Sequence, residues 1–277
     1  TIGMLMATFT VSLMTLLSDE AFLSWGWRIP FLLSAVLVLL GLWIRKGIDE
    51  TPEFKKVKQA GQLAKTPLRD TLTHHWREVL IAAGLKVVET APFYIFSTFV
   101  VSYATTTLSY QKSQALEAVT LAALVATIMI PLMGLLSDKI GRQRMYAIGV
   151  FALGLFILPW FWLLDTGETW GIVLATLIAF GILWAPITAV LGKLCSEIFS
   201  ANVRYTGITL GYQLGAALAG GTAPLIATGL LAKYDGDWTP VACYLMVTVA
   251  ISLVAIFCAS RVKRETAAQT QAQAQKL

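Results

Sequence analysis

Lys86 and Glu89 are the residues whose type and spacing in this chain could do chemistry, because both lie well inside a long apolar run, 79–103. A charge at the centre of a membrane helix costs about 2.5–3.5 kcal/mol on insertion scales and usually faces a cavity. At a spacing of three residues the two side chains share a helix face and can neutralise each other. Three readings stay open. In the first, Glu89 carries a proton and Lys86 adjusts how readily Glu89 binds it. In the second, Lys86 binds a ligand carboxylate, and Glu89 balances the charge of Lys86 when the site is empty. In the third, the pair is only structural.

Four further residues on the apolar runs are candidates for a cavity wall, for contact with a small molecule or simply for packing. Trp184 stands beside Pro186, where a break in the helix would leave backbone carbonyl groups that must face protein or water. The others are Tyr94, on the same run as the charged pair, and the neighbours Tyr212 and Gln213.

No catalytic constellation accompanies these residues in the sequence. The apolar runs contain no histidine, and the adjacent His74 and His75 lack further residues at metal-ligand spacing. We therefore expect no catalytic residues, no metal site and no cofactor. The protein is not expected to be an enzyme.

A compact charged turn separates two apolar runs at 134–144. Gly134 and Gly141 favour close helix approach and a tight reversal. The charged members of the turn can pair with two residues of a neighbouring corner and so latch helix ends in one state of the protein. The alternative is charge that only orients the chain in the membrane. The charged residues concerned are Asp138, Arg142, Arg144, Glu197 and Arg204.

The composition points to lipid as the solvent. Of the 277 residues, 57% are hydrophobic and 13% charged, with a mean hydropathy of +0.70. Soluble domains carry about 25% charged residues. The net charge of +5 does not indicate nucleic-acid binding, because the basic residues lie between apolar runs and form no stripe. A membrane protein that binds no nucleic acid is predicted.

Eight runs are long and apolar enough to cross a bilayer as helices, for which about 20 residues are needed. The predicted spans are 1–17, 27–44, 79–103, 118–136, 145–164, 170–191, 206–231 and 239–260. Within the segment between the second and third spans, 52–59 is predicted to form a short surface helix, and the tail 261–277 is predicted to be disordered.

Basic residues alternate between the two sets of loops. Of the 21 Lys and Arg residues, 17 fall in one set of loops and in the tail, three in the other set, and one, Lys86, inside a span. Cytoplasmic loops carry the excess of Lys and Arg. Both termini of this segment are therefore predicted to be cytoplasmic.

The charged turn, with Gly134, Asp138, Gly141 and Arg142 followed by the basic Arg144, resembles the cytoplasmic loop motif of the major facilitator superfamily. Two other stretches, 24–54 and 197–207, resemble the metabolite:proton symporter family within it, which includes permeases for shikimate, dicarboxylates, citrate and proline or betaine. The similarity covers nearly the whole chain.

The resemblance implies an all-α integral membrane protein with eight of the twelve helices of the major facilitator fold, helices 5–12. Residues 1–44 would be the last two helices of the N-terminal half, 45–78 the central cytoplasmic loop and 79–260 the six-helix C-terminal half. Helices 1–4 of the same protein would be missing partners.

The implied function is proton-coupled symport of a small organic acid or zwitterion across a bacterial inner membrane by alternating access. The proton gradient would be the driving force. A membrane sensor that keeps the fold without transporting is the alternative.

Overall fold

The computed structural model describes residues 3, 10, 19–47, 67–200 and 203–274 of the chain. The chain divides into two units, Thr1–Gln62 and Leu63–Leu277. The first unit contains α1 (Asp19–Ser24), a 3₁₀ turn at Gly26–Arg28 and α2 (Ile29–Gly47). Apart from residues 3 and 10, the predicted span 1–17 lies outside the described residues, as does the predicted surface helix 52–59.

The second unit is a bundle of helices, two of whose spans contain a π-helical segment. Its elements are α3 (Pro67–His74), α4 (Trp76–Tyr94), the π segment Ile95–Phe99, α5 (Val100–Thr106), α6 (Lys112–Ile140), α7 (Arg142–Leu164), α8 (Thr169–Thr176), the π segment Leu177–Leu183, α9 (Ala185–Ser196), α10 (Arg204–Ala219), α11 (Ala223–Lys233) and α12 (Thr239–Ala274).

Seven helices among the described residues are long and apolar enough to cross a membrane. They are Gly26–Gly47, Trp76–Thr106, Lys112–Ile140, Arg142–Leu164, Thr169–Ser196, Arg204–Lys233 and Thr239–Arg261. Each contains one of the predicted spans, apart from small shifts at the ends, so the all-α membrane architecture is confirmed. Their outward faces carry large apolar side chains, as lipid contact requires.

The span Trp76–Thr106 is the most buried of the seven, and α4 packs mainly against α10 and α12. Small residues make this approach possible. A Cβ atom at Gly211 would meet the side chain of Ala82, and one at Gly215 would lie 2.7 Å from the Cβ atom of Lys86. The helix that carries the charged pair is thus held against its neighbours by close backbone contact.

Backbone irregularities follow the charged pair along the same span. Pro92 lies inside α4 and cannot donate to the carbonyl oxygen of Val88, four residues earlier. The π segment Ile95–Phe99 begins three residues later. Such segments are rare and often occur at functional sites.

The structure contains helix in two regions outside the predicted spans. The helix α3 lies within 45–78, the predicted central cytoplasmic loop, in which a short surface helix is also predicted further upstream. The backbone of α12 stays helical to Ala274, although a disordered tail was predicted from residue 261. Ala, Gln, Lys and Arg have high helix propensity, so a helix that leaves the membrane can continue through them.

Candidate functional site

Lys86 and Glu89 form an ion pair inside the bundle. The Nζ atom of Lys86 donates a hydrogen bond to Oε2 of Glu89, and the two side chains are 18% and 12% exposed. The hydroxyl of Thr90 lies 3.0 Å from the same carboxylate oxygen. The charges are therefore largely removed from solvent and neutralise each other, which favours burial of both.

Tyr212 completes the surroundings of Lys86 from a different helix. The ammonium group of Lys86 lies 5.0 Å from the centroid of the Tyr212 ring, within cation–π distance. The hydroxyl of Tyr212 lies close to the thiol of Cys195. The structure thus brings Tyr212 to the charged pair, whereas the adjacent Gln213 is exposed.

Trp184 contacts the backbone of the pair rather than its charges. Its indole Nε1 donates a hydrogen bond of 2.7 Å to the carbonyl oxygen of Glu89. The ring is buried and lies 5.3 Å, between centroids, from both Phe93 and Phe180. Trp184, which lies between the π segment Leu177–Leu183 and α9, therefore holds the backbone of the helix that carries the charged pair.

Two residues that sequence reasoning missed bind the same stretch of α4. The hydroxyl of Tyr146, on α7, donates to the carbonyl oxygen of Leu85 at 2.5 Å. The hydroxyl of Ser252, on α12, donates to the carbonyl oxygen of Gly84 at 2.6 Å. Both side chains are fully buried. Nothing in their local sequence distinguishes them from other tyrosines and serines of apolar helices.

Tyr94 lies near the middle of its span with 37% of its surface exposed. Its ring contacts Phe93 edge to face at 5.3 Å. It therefore lies on the accessible side of a mostly buried helix.

The charged turn pairs across the corner between helices. Gly141 has φ = 93°, a value that L side chains rarely adopt, and it ends α6 so that α7 can begin at the next residue. Arg142 Nη2 donates to Asp138 Oδ1 at 2.8 Å, and Arg142 Nη1 donates to Glu197 Oε1 at 3.0 Å. One guanidinium thus joins the turn to the end of α9.

Other members of the predicted latch lie differently. A Cβ atom at Gly134 would meet nothing within 4 Å, so no other helix among the described residues approaches closely at this glycine. Arg144 is exposed and forms no ion pair with the described residues. Arg204 directs its Nε atom toward the carbonyl oxygen of Phe199 at 3.4 Å.

The described residues contain no set of side chains suited to bind a metal ion. Within 19–47, 67–200 and 203–274, no group of three or more His, Cys, Asp and Glu side chains could hold a metal ion.

Long apolar helices around a partly accessible ion pair define a multi-pass membrane protein with an internal polar site, as transporters have. Comparison with known proteins then gives the family. The model of the Major Facilitator Superfamily matches residues 1–219 and 87–276. The chain belongs to the major facilitator superfamily, whose members are transporters and not enzymes.

Curated relatives agree with the family. The chain is 34% identical over 254 residues to the "Shikimate transporter" of Escherichia coli (strain K12), which covers 91% of this chain and 58% of that protein. It is 33% identical over 264 residues to the "Inner membrane metabolite transport protein YhjE" of the same strain, covering 92% and 59%. It is 30% identical over 258 residues to the "Glycine betaine/proline/ectoine/pipecolic acid transporter OusA" of Dickeya dadantii (strain 3937), covering 90% and 51%.

The chain thus spans between half and three fifths of the length of these relatives. No solved structure matches it.

Proposed function

We propose that this chain works as the C-terminal part of a secondary active transporter. The protein would carry a small organic acid or zwitterion together with a proton across a bacterial inner membrane by alternating access. The observation that carries the proposal is the Lys86–Glu89 ion pair, which lies within a membrane span and keeps some exposure on the accessible side of its helix.

The pair supplies a physical reason for coupling. A substrate carboxylate that binds Lys86 displaces the Glu89 carboxylate, and Glu89 would then be a buried charge without its partner. Leaving such a charge unpaired costs about 3–5 kcal/mol. A proton that enters with the substrate neutralises Glu89, so a monocarboxylate and one proton bind with no change in the net charge of the site. Substrate binding and protonation therefore favour each other.

The substrate class rests on the charges and on the relatives. The ammonium of Lys86 suits a carboxylate, and the ring of Tyr212 lies beside it. One relative is named for shikimate, and another for glycine betaine, proline, ectoine and pipecolic acid. These names favour a small metabolite, which could be an acid or a zwitterion.

The Arg142 bridge is the proposed latch of alternating access. It joins α7 to the end of α9 at the end of the bundle that the distribution of basic residues assigns to the cytoplasm. The bridge would form in one state and open in the other. Further N-terminal helices of the same protein would complete the cavity opposite the charged pair.

Uptake measurements test the proposal directly. Labelled dicarboxylates, shikimate, citrate, proline and betaine are offered to cells that express the full-length parent protein, with and without a protonophore. Uptake of one class that collapses with the proton gradient is the expected result. No uptake of any of these compounds, together with ligand binding that produces no flux, would favour the sensor instead.

Variants then test the pair itself. Glu89→Gln should remove the dependence of uptake on the proton gradient, and Lys86→Gln should raise the half-saturation concentration, while Lys86→Arg retains much of the affinity. Glu78→Gln is the matched control, because Glu78 lies in the first turn of the same helix, where its carboxylate is 3.7 Å from Nδ1 of His75. Unchanged proton dependence in Glu89→Gln would contradict the proposed mechanism.

A further inference from the structure

A groove with several polar residues in a mainly apolar lining lies beyond the charged pair, at the other end of the same span. It has a volume of about 460 Å³ and is lined by residues of the π segment, α5 and the start of α6. Its lining includes four residues that carry hydroxyl groups and one lysine. The polar lining residues are Ser97, Thr98, Ser102, Thr105 and Lys112.

A stripe of polar side chains runs along the span from the charged pair to the groove and turns gradually around the helix. Polar side chains recur every fourth residue at Lys86, Thr90, Tyr94, Thr98 and Ser102. Successive members, four residues apart, lie on nearly the same face of a helix, and the face turns by about 40° at each step. Tyr94, Thr98 and Ser102 are exposed, although this span is the most buried of the seven. At 1.5 Å per residue, the stripe extends roughly 24 Å from the pair to the groove.

The hydroxyl groups that line the groove keep unused hydrogen-bonding capacity. Ser97 and Thr105 give their protons to backbone carbonyl oxygens of their own helix, those of Phe93 at 2.5 Å and Val101 at 2.8 Å. Their oxygen atoms are left as acceptors. The Ser102 hydroxyl makes no hydrogen bond within the described chain, so it can donate or accept.

Lys112 provides a cation at the edge of the groove. It is exposed and forms no ion pair with the described residues. It is the first residue of α6, where the helix dipole disfavours a positive charge. The stability of α6 therefore does not explain a lysine at this position, whereas an anionic ligand in the groove would.

We propose that this groove is a second binding site, at the outer entrance of the substrate path, for a hydroxylated carboxylate. Lys112 binds the carboxylate, and the hydroxyl oxygens of Ser97 and Thr105 accept hydrogen bonds from the ligand hydroxyls. A carboxylate without hydroxyl donors leaves those acceptors unused. The site therefore selects hydroxy acids over betaine-like zwitterions. The place of this site on a transport path rests on the proposed function, whereas binding in the groove does not.

Thiol protection in the full-length parent tests the site. Ser102→Cys is labelled with a membrane-impermeant maleimide from outside right-side-out vesicles, against a background of the native cysteines. The probes are shikimate, 1-cyclohexene-1-carboxylate, which lacks the hydroxyls, and glycine betaine. Thr106→Cys is the matched control, because Thr106 is an exposed neighbour on α5 that does not line the groove.

The expected result is that shikimate slows labelling of Ser102→Cys at least about threefold, while the other two probes and the control show little effect. Adding Lys112→Gln should raise the shikimate concentration needed for protection roughly tenfold, as loss of a charge-assisted hydrogen bond implies. Equal protection by glycine betaine, or none by shikimate, would overturn the proposal.

A second background separates this site from the charged pair. Protection of Ser102→Cys should persist in Lys86→Gln, and its loss there would assign the effect to the pair and overturn a separate site. Protection without any uptake would leave the groove standing and refute the transport function. Uptake of shikimate without protection would support the transport function and overturn the groove as a binding site.

Discussion

The hydroxyl of Ser252 donates to the carbonyl oxygen of Gly84 at 2.6 Å and accepts from the backbone N–H of Val88 at 3.1 Å. These are the two backbone groups that an α-helix pairs with each other, so the hydroxyl lies beside one of the backbone hydrogen bonds of α4. A side chain of α12 therefore bridges one turn of α4, and Lys86 lies on that turn. Gly84 makes the approach possible, because a Cβ atom there would lie 2.9 Å from Cβ of Ala255.

Removing this hydroxyl should destabilise the protein. Ser252→Ala removes two hydrogen bonds between α12 and α4, and we expect a loss of about 1–3 kcal/mol in the free energy of unfolding. Thr248→Val is the control, because among the described residues the buried Thr248 hydroxyl bonds only the carbonyl oxygen of Leu245 on its own helix. Thermal unfolding in detergent compares the two. Equal stability of both variants would show that the bridge contributes nothing.

The close contact between α4 and α10 gives a second prediction. A Cβ atom at Gly215 would lie 2.5 Å from the carbonyl oxygen of Ala83, so Gly215→Ala must separate the helices. Overpacking of this kind costs about 1–3 kcal/mol. Gly229→Ala, with nothing within 4 Å, should be neutral or slightly stabilising. The melting temperatures of the two variants decide the matter, and a stable Gly215→Ala would contradict the packing.

The Arg142 bridge should matter for rate more than for stability. Arg142→Lys keeps the charge, but a single ammonium group cannot reproduce the planar fork that reaches Asp138 and Glu197 together. Partly exposed pairs contribute about 0–1 kcal/mol, so the melting temperature should change little. If the bridge is the proposed latch, the uptake rate of the parent protein should fall roughly fivefold.

Arg144→Lys is the control for this prediction, since Arg144 is exposed on the same turn and forms no ion pair among the described residues. An equal loss of uptake in both variants would argue for a general effect of charge at the turn and against a specific latch.

Asp237 gives a prediction about pH, outside the spans. Its carboxylate accepts hydrogen bonds from the hydroxyl of Thr239 at 2.7 Å and from the backbone N–H of Thr239 at 2.8 Å. These bonds lower the pKa of Asp237. A lowered folded-state pKa means that ionised Asp237 stabilises the fold above its unfolded-state pKa of about 3.9, and that this stabilisation is lost as pH falls through the lower folded-state value.

The test is thermal unfolding as a function of pH in acid. Asp237→Asn should remove part of the stability loss on acidification below about pH 4. Asp235→Asn serves as the control, because the Asp235 side chain is an exposed neighbour that bonds no described group. Identical acid profiles for the two variants would show that the Thr239 hydrogen bonds do not affect stability.

Much of the architecture could be predicted from the sequence because it depends on local properties. Run length and hydropathy located the seven described spans, since lipid accepts only helices with an apolar surface. The pairing of Lys86 with Glu89 and the reversal at Gly141 also follow from local geometry. A spacing of three residues fixes one helix face, and few residues other than glycine adopt the required φ.

Tertiary structure alone decided what surrounds the pair. Tyr212, Ser252, Tyr146 and Trp184 come from four separate parts of the chain. Neither spacing nor composition indicated that they meet at α4. The same holds for the groove, where Lys112 from α6 joins hydroxyl groups from the preceding span.

The solvent explains why the sequence did not show which side chains meet inside the bundle. In water, the apolar face of a helix marks its buried side, and the sequence period then gives the rotation of each helix. In lipid the outward face is as apolar as the inward one, so association depends on close packing and on a few hydrogen bonds between helices. The sequence determined which segments cross the membrane and which charges they carry. Only packing in three dimensions determined which way each helix faces, and therefore which side chains form the sites.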